Sequence, residues 1–77
     1  MKHHKVVEVE WLDTTHHGGW EELEDARNKE PLPCKTVGYL IKKTRATIIT
    51  AETQDKYDRV SGLEIIPRSC VTSIRNV

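Results

Sequence analysis

Alternation with a period of two constrains this chain more than any other feature. In KVVEVEWLD, Val7, Val9 and Trp11 fall on one side, while Glu8 and Glu10 fall on the other with Val6 and Leu12. That is the pattern of a half-buried strand. Two longer segments, CKTVGYLIKKT and ATIITAET, carry the β-branched and aromatic residues that strands prefer. KKTRA between them reads as a tight connection, and QDKYDRVSG, with Gly62, as a polar loop. LEIIP is then a short strand, RSC a turn opened by Pro67, and VTSIRNV a final strand.

One segment departs from this rhythm. TTHHGG breaks the first strand with paired glycines and short polar residues. In WEELEDARNKE the apolar residues Trp20, Leu23 and Ala26 recur every three to four positions. Acids come early in that segment and Arg27 and Lys29 late, which suits a helix dipole. The spacing predicts a short helix of about two to three turns. EPLP ends it, because Pro31 and Pro33 push the residues before them out of the helical region. The predicted fold is therefore mainly β with one short helix: a small SH3-like five-stranded barrel, the helix inserted between strands 1 and 2 and covering the barrel. IPRSCV supplies a one-turn 3₁₀ element before the last strand. Closure into a barrel is attractive because it removes exposed strand edges.

Seventy-seven residues make one domain, 1–77, with a thin core. There is no Phe, and only one Met, two Trp and two Tyr. Chains of this size commonly need a disulfide, a metal or a partner chain to be stable, so a homo-oligomer is expected. Twelve bases cancel twelve acids, which removes the global field that draws proteins to nucleic acid or to anionic membrane. The start, MKHHKVVEVEW, has no apolar signal segment, and no long apolar run follows. Cys34 and Cys70 are far apart, and the expectation is a cytoplasmic protein with both thiols reduced.

Three short motifs, VEWLD…GW, TVGYLI and IPRSCVTSI, occur in order between Val7 and Ile74. Together they resemble a family of short bacteriophage and prophage proteins. The positions that carry the resemblance are Trp11, Asp13, Trp20, Thr36, Gly38, Tyr39, Ile66 and Pro67. What it implies is a phage accessory protein working in the cytoplasm of a bacterial host. It implies no catalytic residue, and the pair His16–His17 stands outside its pattern.

Enzyme chemistry finds little footing. Cys34 or Cys70 with His17 and Asp13 contains the residue types of a nucleophilic triad, but no local signature joins them. Glu8 and Glu10, two apart on a strand, read as a solvated face. The histidine pairs, His3–His4 and His16–His17, lack the spacing of zinc ligands. We therefore expect no enzyme, no metal and no cofactor. A binding role is better served by the sequence. Trp11, Trp20 and Tyr39 offer stacking faces, Thr36 and the backbone around Gly38 offer donors to a phosphate, and Lys42 and Arg68 offer positive charge. With Asp13, these residues form the candidate site for a nucleotide-like ligand held between subunits, or for a host protein. Countering host defence is the purpose such a phage protein would serve. The alternative is a nucleic-acid-binding barrel using Lys42, Lys43 and Arg45 with Lys56, Tyr57 and Arg59.

Overall fold

The alternation of the first strand is borne out by a computed structural model, which describes residues 3–77; Met1 and Lys2 of the predicted domain lie outside it. Strand β1 is Val6–Asp13 and helix α1 is Leu23–Arg27. Strands β2, β3 and β4 are Leu32–Lys43, Thr47–Gln54 and Val60–Pro67. A 3₁₀ turn, Arg68–Cys70, leads into β5, Val71–Asn76. All five strands form one antiparallel sheet in the order β4-β3-β2-β1-β5.

The core lies on one face. Val7, Val9, Ile48 and Ile66 are fully buried, and Trp11, Leu40, Val71 and Ile74 pack against them. Register explains the selection: Val7 pairs with Gly38, Val9 with Thr36 and with Ile74, and Ile48 with Ile66. Gly38 is required by a close approach. A Cβ built there would lie 2.7 Å from the carbonyl oxygen of Ala51. Two irregularities bend the ladder, one at Leu40/Lys42 in β2 and one beside Glu10/Trp11 where β1 meets β5. At the second, the Thr72 hydroxyl donates to the Glu10 carbonyl at 3.1 Å. Such bulges add local twist, which curls a sheet around its own inner face.

On the opposite face Glu8 accepts two hydrogen bonds from the Arg75 guanidinium, at 2.8 and 3.2 Å. Lys35 stands 3.6 Å from Glu8 and 3.7 Å from Glu10. Glu8 lies in the middle strand of β2-β1-β5, so this cluster ties three strands together.

Two expectations change. The sheet is open, with β4 and β5 as its edges and no ladder between them among the described residues, so a closed barrel is not what the strand pairing displays. The helix is five residues, not two to three turns, and it does not cover the sheet. Every residue from Thr14 to Pro33 is exposed. The hydrogen-bond contact of Thr15 with His17 and the ion pair of Lys29 with Glu21 join this segment only to itself. A five-residue helix has almost no intrinsic stability. It ends where the chain turns at Asn28 and meets Pro31. Residues 14–31 thus form an arm, and the molecule is 53 Å long against 22 and 20 Å across. Its radius of gyration is 15.9 Å, where a compact chain of this length would have about 11–12 Å.

Candidate functional site

The predicted binding residues are distributed over four places. Trp11, on the inner face of β1, donates its indole N–H to the Thr36 hydroxyl of β2 at 3.0 Å. Both residues are half-buried. This pair follows from the register, in which Trp11 faces Cys34 and Val9 faces Thr36, so the indole reaches its diagonal neighbour on the same face, two residues along β2. The bond satisfies a polar group that would be costly to bury unpaired. Asp13 ends the same strand, opposite Leu32. Beside them is a groove of about 350 Å³, walled by Trp11, Leu12, Pro33 and Cys34 and rimmed by Glu10, Lys35 and Thr72.

Gly38 is buried beneath the sheet contact already described, so its missing side chain serves packing. Tyr39 falls on the outer face, in the ladder between Val6 and Ala51. The irregularity after Leu40 then brings Lys42 opposite Ile49, on the same outer face as Tyr39. Arg68 opens the 3₁₀ turn, and its backbone N–H donates to the Ala46 carbonyl at 2.9 Å. That bond sets it beside the turn carrying Lys43 and Arg45. Lys42 lies towards the β2–β3 turn, whereas Trp11 and Asp13 lie by the root of the arm; the 3₁₀ turn that Arg68 opens leads directly to Val71, the partner of Trp11 in the β1–β5 ladder. Trp20 is apart from both, on the arm, with its side chain wholly in solvent (104% exposed). Within one chain Trp11 and Thr36 meet, but Trp20 does not join the others.

A set of apolar side chains on the outer face is not marked by any motif in the sequence. Val37, Leu63 and Ile65 are 52%, 53% and 65% exposed. Ile65 pairs with Ile49 and Leu63 with Ala51, which makes two neighbouring rows: Lys42–Ile49–Ile65 and Tyr39–Ala51–Leu63. Only the register shows that these residues are adjacent. The signal available in sequence was that IIT and LEII place apolar residues on both faces of β3 and β4.

The basic residues proposed for nucleic acid also separate. Lys42 pairs with Ile49 near the start of β3, whereas Tyr57 follows the end of that strand at Gln54. The ammonium of Lys56 and the guanidinium of Arg59 lie 5.1 and 5.5 Å from the Tyr57 ring centre. Arg59 is bound to Asp55 at 2.6 Å, and Asp55 also accepts the backbone N–H groups of Tyr57 and Arg59. Those backbone bonds, chiefly that from Arg59, hold the Asp55 carboxyl below its usual pKa. This turn is a locally satisfied unit.

Cys34 and Cys70 are free thiols. No group of three His, Cys, Asp or Glu side chains among the described residues is placed to hold a metal ion, and no helix among them is long and apolar enough to cross a membrane. No known protein family matches the chain, and no curated protein or solved structure is significantly similar to it.

Proposed function

We propose that this chain is a non-enzymatic binding protein that works as a homo-oligomer, an accessory protein of phage origin acting in the bacterial cytoplasm. Its building block is an SH3-like barrel unit. Supporting that unit are the strand order with β1 between β2 and β5, the 3₁₀ turn before the last strand, and the single core inside the curl of the sheet.

One observation carries the oligomer: an arm with an uncovered tryptophan and an uncovered Leu23 (66% exposed). Fully burying one such apolar side chain is worth about 1.5–3 kcal/mol, and a segment that buries none of them has nothing to offset its ordering cost. The arm is built to be covered by another molecule. Trp20 and Tyr39 present stacking faces, and Lys42 and Arg68 present charge, each on a surface open to a neighbour. A nucleotide-like anion held between copies fits that chemistry, and sequestering such a signal would blunt a host defence that depends on it. A host protein is the second kind of target, reached by the same exposed side chains.

Native mass spectrometry of protein purified from bacteria undergoing a nucleotide-signalled defence response reads subunit number and ligand together. We expect a multimer that releases a nucleotide-like anion on denaturation. A multimer that is empty, and whose melting is unmoved by cyclic or ADP-ribose-type nucleotides, removes the nucleotide reading. A monomer removes the oligomer.

A further inference from the structure

We infer that copies of this chain join head to tail, the arm of one lying across the outer sheet face of the next. This specifies the surface and the occupant, and it rests on the homo-oligomeric reading above. Two surfaces of the molecule lack cover: the arm, through Trp20 and Leu23, and the outer face, through Leu63 and Ile65. In the folded chain they do not cover one another. Leu32, at the root of the arm, and Lys42, beside Ile49, are ten positions apart on the same strand, at most roughly 33 Å along it.

Charge selects the occupant. The arm carries five acids, Glu21, Glu22, Glu24, Asp25 and Glu30, against Arg27 and Lys29, a net −3. The whole chain is neutral, so the remainder carries +3. That excess is concentrated at the far end of the sheet, where Lys42, Lys43, Arg45 and Arg68 lie; no acid occurs between Leu40 and Ala51 or from Ile65 to the C-terminal residue. An acidic arm with apolar anchors matches an apolar patch with a basic rim, and this one chain supplies both. Complementary potentials of that kind fix partner and orientation.

The geometry has two consequences. Different patches meet, so the contact is heterologous and propagates into a ring when its rotation closes. It also brings Trp20 of one copy towards Tyr39, Lys42 and Arg68 of the next, reuniting residues that a single chain keeps apart. The binding site is then incomplete without a second copy.

Two variants test this in native mass spectrometry at micromolar concentration. Trp20→Asp with Leu23→Asp spoils the arm, and Lys42→Glu with Ile65→Asp spoils the patch. All four side chains are exposed, and amide NMR spectra check that the sheet survives. Each variant alone is expected to be monomeric, with association weakened at least about tenfold, the effect of roughly 1.4 kcal/mol. Mixed in equal amounts they should form a heterodimer and nothing larger, since one sound arm meets one sound patch. Failure of the mixture to pair while the wild type remains multimeric overturns the head-to-tail contact and leaves the oligomer standing; a monomeric wild type overturns both. Should the patch variant misfold, charge reversal decides. Glu24→Lys with Asp25→Lys should weaken assembly, and adding Lys42→Glu with Arg45→Glu should restore it. No restoration, or the basic end retaining single-stranded nucleic acid as a monomer, contradicts the proposal.

Discussion

A methyl group at position 38 would meet the backbone of the neighbouring strand, and a methyl group at position 19 would meet nothing within 4 Å. Gly38→Ala is therefore expected to cost about 1–3 kcal/mol through overpacking. Gly19→Ala should stay within about 0.5 kcal/mol of the parent. Urea unfolding of the two variants checks this, and equal losses would contradict the close approach of β2 to β3. At this scale much was legible from alternation alone. Val7, Val9 and Trp11 were expected on one face and are found there. Thr36 and Tyr39, three positions apart in a strand, belong to opposite faces by the same rule, which already set limits on a site containing both. The bond between Trp11 and Thr36 was not legible, because it depends on the pairing register of strands separated by the arm.

Elements divide into the five strands, each paired in the sheet, and helix α1, which packs on none of them. The strands and the 3₁₀ turn were readable because period two, β-branched residues and Pro67 act locally, although β4 takes in Val60, Ser61 and Gly62, read as loop, and β2 takes in Leu32 and Pro33. Helix α1 was overestimated: its spacing suits a helix, but spacing without a surface to pack on sustains little more than one turn. Closure was equally hidden, since nothing in the pattern states whether β4 and β5 will share a ladder. The coupling of β1 to β5 has a measurable sign. Hydrogen bonds from Arg75, helped by its charge and that of Lys35, hold the Glu8 carboxyl below its usual pKa, and Glu8 in turn raises that of Arg75. Because the folded pKa of Glu8 is depressed, its contribution is complete above the unfolded value and is lost as pH falls through the folded one. Glu8→Gln should thus flatten the acid limb of a stability curve and leave the slope near neutrality unchanged. An unaltered acid limb would show that the ion cluster is not coupled to folding.

For the whole molecule, we propose that each chain gives its arm to one neighbour and its outer face to another. Its small core, its 53 Å length and its wholly exposed arm are what the proposed oligomer accounts for. The candidate site was only partly legible. Residue types pointed to Trp20, Tyr39, Lys42 and Arg68, but the exposure of Trp20 on an arm apart from the sheet is not written in residue types. Light scattering on the intact chain at micromolar concentration, beside a chain in which Asn-Gly replaces residues 14–31, tests the claim most directly. We expect the intact chain to have a whole multiple of the single-chain mass and the shortened chain to be a folded monomer. An intact chain that is monomeric, or a shortened chain that keeps the multimer, would contradict the account.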